Sequence, residues 1–252
     1  MSFSDTPGSG FRQNMLDFET VEKMIEDDLH AREEHDATHP FVVAAHAFDA
    51  AQTPQQKTGA VKAMLEHGEM FEAMHALDEN ALSPSPKTQK IVNIVRQGVF
   101  ARNALLSGDT RSYDSIVNTN LPRFIEEGTD ADLAAAASLT LDYATLALAH
   151  DYPEAQAGLI GYASALYHAA SNENFARQAD GKTNRQKAVD VLHEGAVAAK
   201  DLAERDPALH GLIKNALQMK YEYLDNAGQA IAREHDAKDP VFSKVLKSQL
   251  GP

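Results

Sequence analysis

Residues 206–224, DPALHGLIKNALQMKYEYL, admit one kind of secondary structure. Leu209, Leu212, Ile213, Ala216, Leu217, Tyr221 and Leu224 recur at steps of three and four, drawing an apolar stripe along a helix of about five turns. Asp206 stands where it can accept from the first free amides, and Pro207 sits where a first-turn proline forfeits no hydrogen bond. The opposite face is polar. There Asn215 and Glu222 are two turns apart on nearly one azimuth, so their side chains point the same way at a separation of about 10 Å. Two polar groups so placed can bracket an extended peptide backbone.

The remaining chain repeats the helical pattern. Residues 1–14 mix Ser, Gly, Pro and Asp without periodicity and are expected to form a tail. Met15, Phe18, Val21, Ile25 and Leu29 predict an amphipathic helix to about His35 with a very acidic outer face. Further helices are expected over 40–52, 55–68 with 69–80 as an antiparallel pair, 87–106, 110–127 with Pro122 marking a kink or boundary, and 130–149 capped by Asp130. The chain should return over 153–170 and 172–178, pair 185–204 with 207–224, break at DNAG (225–228), and end in one helix to about Gln249. Alternating apolar patterns are missing, so the fold class is all-α. Helix pairs with short turns, alanine at close contacts and no heptad register predict an αα-superhelix, with a partial tetratricopeptide (TPR) echo in Leu139, Tyr143, Ala155 and Leu159. It should be one helical domain over 15–252, in which 15–54 are an N-terminal extension and 55–252 the superhelix.

Charge and composition exclude several classes of function. With 23 Lys plus Arg against 37 Asp plus Glu, the net charge of -14 argues against nucleic acid or an anionic membrane as partner. No cysteine is present, which removes disulfides, thiolate catalysis and cysteine zinc sites. No apolar run reaches the roughly 20 residues of a membrane span, and MSFSDTPGSGF lacks the basic and apolar regions of a signal peptide, so a cytoplasmic protein is expected. There is no Gly-rich phosphate loop, HExxH or nucleophile elbow, and Gly-Lys-Thr at 181–183 lacks its earlier glycine and preceding strand. No enzyme and no cofactor is expected.

The series Pro207-x3-Gly211-Leu212-x2-Asn215-x5-Tyr221-Glu222-x-Leu224 resembles the penultimate helix pair of the 14-3-3 family. Leu166-Tyr167, Phe175 and Ala179-Asp180 are similar to a second segment of that family, and Glu66-His67-Gly68-Glu69-Met70-Phe71 with Met74 to its first interhelical turn. The echoes keep the family's order over 55 to about 235. Asn103 stands where an arginine would be, Ala176-Arg177 replaces Arg-Tyr, the final tryptophan-bearing helix is absent, and about 55 residues precede the matched region. The resemblance implies a helical groove gripping extended, often phosphorylated, segments of other proteins, usually as a homodimer. On that reading Asn215 pairs with the guest's main chain, Glu222 takes an N–H or orients an arginine, and Arg96, Arg102 and Arg177 clamp phosphate or carboxylate.

Two other constellations compete. Glu72-x2-His75 and Asp190-x2-His193 each put a carboxylate and an imidazole on one helix face, as helical di-iron or di-manganese proteins do, with Glu26 and His30 as a third element. Ion-paired surface histidines account for the same spacing. Tyr143, His150, Tyr152, Tyr162, Tyr167 and His168 gather at one predicted hairpin, where they either line a small pocket or simply pack.

Overall fold

The computed structural model describes residues 38–68, 84–170 and 181–249. Helix ends are set by side chains that answer the free amides of the first turn. Thr53 and Gln56 form a reciprocal capping box that starts the helix Pro54–His67, and the same device at Thr183 and Gln186 starts Asn184–Arg205, the longest helix among the described residues. In order the helices are α1 (Pro40–Ala50), α2 (Pro54–His67), α3 (Pro86–Leu106), α4 (Thr110–Ser115), α5 (Leu121–Glu127), α6 (Ala131–Leu141), α7 (Ala155–Ala170), α8 (Asn184–Arg205), α9 (His210–Tyr223), α10 (Asn226–Asp236) and α11 (Pro240–Gln249). The described residues are all-α and contain no strand. No helix among them is long and apolar enough to cross a membrane.

Two expected long helices are each interrupted by a π-helical turn, Ile116–Asn120 between α4 and α5 and Asp142–Leu146 after α6. The first has a covalent cause. Pro122 has no N–H to offer the carbonyl four residues back and its ring crowds that carbonyl, so the chain widens and the Leu121 amide bonds to Ile116 O instead. The wider turn carries Asn118 against α7, where a Cβ at Gly161 would lie 3.3 Å from the Asn118 Cα. At Gly158 a Cβ would meet Thr145 of the second π turn at 2.8 Å. Helix α7 therefore approaches both π turns through its glycines.

The chain does break at DNAG: α9 ends at Tyr223, and Asp225 accepts from the Gly228 amide as the N-cap of α10. A further boundary differs from expectation for a local reason. The last expected helix is two, divided at 237–239, where Asp239 accepts from the amides that open α11.

Packing follows chain order: α1 lies on α2, α2 and α3 on α6, α5 on α7, α7 on α8, and α8 on α9. The main core runs through these contacts, with Phe41, Met64, Ile91, Ile94, Leu121, Leu141, Tyr162 and Leu166 sealed from solvent. A second cluster joins Ala196 and Ala203 of α8 to Ile213 and Leu217 of α9 and Phe242 of α11. At the other end Asp132, at the start of α6, takes the ammonium groups of Lys57 and Lys87 and clasps α2 and α3 together.

Candidate functional site

Helix α2 lines one wall of a cleft of about 430 Å³ with Thr58, Lys62, Leu65 and Glu66, spaced at helical steps. Ala135, Ser138 and Leu139 of α6 form the facing wall, the second π turn contributes Asp142, Tyr143 and Leu146, and Lys187 of α8 closes one end. A π turn adds a residue to the helical repeat, and such turns recur at functional sites because they re-aim side chains. Here it brings a carboxylate, a phenol and an apolar side chain to one hollow.

The cleft's electrostatics centre on Asp142. Lys187 Nζ donates to its Oδ2 at 2.8 Å, while Oδ1 is buried and accepts no hydrogen bond among the described residues. Burial pushes the carboxyl above its ordinary range, and the Lys187 hydrogen bond with the charges of Lys187 and Lys62 offsets this only in part. Lys62 stands exposed at the mouth, one turn from exposed Glu66.

Hydroxyl groups hold the π turn open. The Thr145 hydroxyl donates to Leu141 O, and the buried Tyr113 hydroxyl donates to Ala144 O at 3.2 Å. Tyr162, also sealed, bonds to both the hydroxyl and the carbonyl of Ser138. Ser138 is thus engaged and buried, and among the described residues no histidine lines the cleft. Behind the wall the Arg102 guanidinium lies 5.0 Å from the centre of the Tyr143 ring, which fixes that ring by a cation–π contact. Among the described residues the cleft pairs no nucleophile with a base.

The residues singled out in the sequence lie in different places. Asn215 is exposed at the rim of an apolar groove of about 230 Å³ between α7, α8 and α9, beside Leu212, Ala216 and Met219. Glu222 lines another cleft, with Lys214, Tyr221 and Arg233, and accepts from Gln218 Nε2 at 2.9 Å. The shared azimuth holds, yet the two groups face separate hollows. Arg96 and Arg102 are half-buried on α3, which packs on α2, α4 and α6, while α9 packs on α8, α11 and α7. Arg177 lies outside the described residues, as do Glu72, His75, Glu26 and His30. Asp190 pairs with Lys182 at 2.6 Å. No cluster of three or more metal-ligating side chains occurs among the described residues. Of the tyrosine and histidine group, Tyr143 lines the cleft and Tyr162 braces it from behind.

His193 belongs to a buried network with no counterpart in the sequence expectations. Lys220 Nζ lies 2.8 Å from Asp236 Oδ1 and 3.2 Å from His193 Nδ1, and the Tyr221 hydroxyl donates to Asp236 Oδ2 at 2.8 Å. One signal was present: Lys220 follows Leu217 by three residues and so stands on the apolar stripe of α9. Burial and the Lys220 charge hold the His193 imidazole below its usual pKa, against the pull of Asp236. The His235 ring meets it edge-on, with centroids 6.1 Å apart.

No protein-family model matches this chain, and no curated protein or solved structure matches it.

Proposed function

We propose that the protein is a non-catalytic binding scaffold of stacked helix pairs in an αα-superhelix, and that its guest enters the cleft beside the second π turn. One observation carries the reading: a hollow with apolar walls from α2 and α6 into which a π turn delivers a buried carboxylate next to a lysine. Pockets that hold ligands have this composition, apolar lining with a few convergent polar groups and a perturbed titration. The test is native mass spectrometry of the protein after incubation with cell extract. A retained mass that is lost in Ala135→Trp, which fills the cleft from α6, supports the reading. A mass retained equally by both forms, or by neither, overturns it.

A second reading keeps the peptide grip, and the position of Asn215 favours it. An amide at the edge of an apolar groove can pair with a guest's main chain while Leu212, Ala216 and Met219 take its side chains. Met219→Glu would then abolish capture of a partner segment while leaving the π-turn cleft intact. Arg102 has its place against Tyr143 in this reading, so a phosphate clamp is not part of it.

A further inference from the structure

We infer that the π-turn cleft takes a small organic anion with an apolar body, a monocarboxylate being representative, with its charged end between Lys62 and Lys187 and its body along Leu65, Leu139 and Leu146. This rests on the cleft being the binding site and names the class of guest.

Donor and acceptor inventories lead there. An ammonium has three donors, and the contact with Asp142 uses one of those of Lys187, leaving two for a guest. Lys62 makes no ion pair among the described residues, although it lies close enough to Asp142 to act on its charge. Acceptors on the cleft wall are fewer. The Ser138 hydroxyl is occupied by Tyr162 and Asp142 Oδ2 by Lys187, Asp142 Oδ1 is buried beside that contact without a bond among the described residues, and Glu66 is exposed at the mouth as Lys62 is. The remaining donors of the two ammonium groups outnumber these acceptors, and a guest carboxylate supplies one more.

A cationic guest would have to share Asp142 with Lys187, which already holds Oδ2. A dianion would demand more positive charge than two lysines beside Asp142 provide. The protein as a whole carries -14 and repels anions at long range, so a local cationic pair in a partly dry hollow is what an anion-binding site in such a chain requires. Apart from Thr58, the rest of the lining, Leu65, Leu139, Leu146, Ala135 and the Tyr143 ring, is apolar and wants a hydrocarbon body. At about 430 Å³ the hollow is at the small end of ligand pockets and fits a small molecule rather than a folded segment.

Isothermal titration of the full-length protein with octanoate, and with octan-1-ol as the uncharged counterpart, tests the inference. Octanoate is expected to bind at least about tenfold more tightly than octan-1-ol, and Lys62→Met to weaken octanoate by about tenfold while leaving octan-1-ol unchanged. Asp142→Asn removes the internal competitor for Lys187 and is expected to tighten octanoate several-fold, a gain that a damaged fold would not produce. Equal binding of acid and alcohol, no binding of octanoate, or indifference to Lys62→Met overturns the anionic class. Octanoate binding undiminished in Ala135→Trp overturns the cleft itself, so the two failures are distinguishable.

Discussion

Lys220 and Asp236 form an ion pair at 2.8 Å with side chains 1% and 0% exposed, and this pair ties α9 to α10 through the interior of the protein. Burying two charges is costly unless the geometry is good and the remaining donors and acceptors are met. Tyr221 meets the second carboxylate oxygen and His193 sits on the ammonium, so the pair is bonded on several sides.

Removing one partner should therefore cost far more than removing both. Lys220→Met is expected to lower unfolding free energy by about 3–5 kcal/mol, because Asp236 is left buried with only the Tyr221 hydroxyl. The double variant Lys220→Met with Asp236→Leu should recover most of that loss. Urea denaturation followed by circular dichroism measures both, and equal losses in the single and double variants would count against a buried pair.

The same network predicts a pH dependence. The folded-state pKa of His193 is depressed, so below the unfolded value of about 6.5 the unfolded chain binds more protons than the folded one. Stability should be fully present above that value and decline as pH falls from it toward the folded pKa. His193→Gln should flatten this slope in denaturation curves between about pH 7.5 and about pH 5. An unchanged slope would mean that Lys220 does not press on the imidazole.

Gly98 of α3 packs so closely on Thr140 of α6 that a Cβ would strike the threonine methyl. Gly98→Ala should destabilise by about 1–3 kcal/mol despite alanine's better helix propensity, because overpacking outweighs a gain of about 1 kcal/mol. Adding Thr140→Ser removes the methyl and should restore most of the loss. Thermal melts of the single and double variants decide the matter.

Asp142 has the opposite linkage from a salt-bridged carboxylate. Its pKa is raised, so the ionised form penalises the folded state above the unfolded value of about 3.9, and the penalty fades as pH falls toward that value. Relative to the parent, Asp142→Asn should therefore gain stability as pH rises from about 4 to about 7, whatever its offset from the lost contact with Lys187. A difference that stays level across that range would show a carboxyl that is solvated rather than desolvated.

The sequence by itself determined the helices, their approximate ends and the all-α class, because these depend on contacts within a few residues. Apolar steps of three and four and the cap at Asp130 act along one chain segment and are realised, and the Thr53 and Thr183 caps that only the structure disclosed act in the same way. It also determined that Asn215 and Glu222 share an azimuth, since helix pitch is a backbone property. Only the tertiary structure decided what faces them: α7 and α8 beside Asn215, and residues of α10 and α11 beside Glu222. The π turn at Asp142–Leu146 was equally hidden, because the hydroxyls of Tyr113 and Tyr162 that bond to its carbonyls and flanks come from elements remote in sequence. Lys220 betrays itself only by standing on the apolar stripe of α9, and Asp236 reads locally as an ordinary surface charge. Their pairing exists because the turn at 224–225 brings Asp236 of α10 to Lys220 and Tyr221 of α9, and no periodicity within α10 encodes that approach.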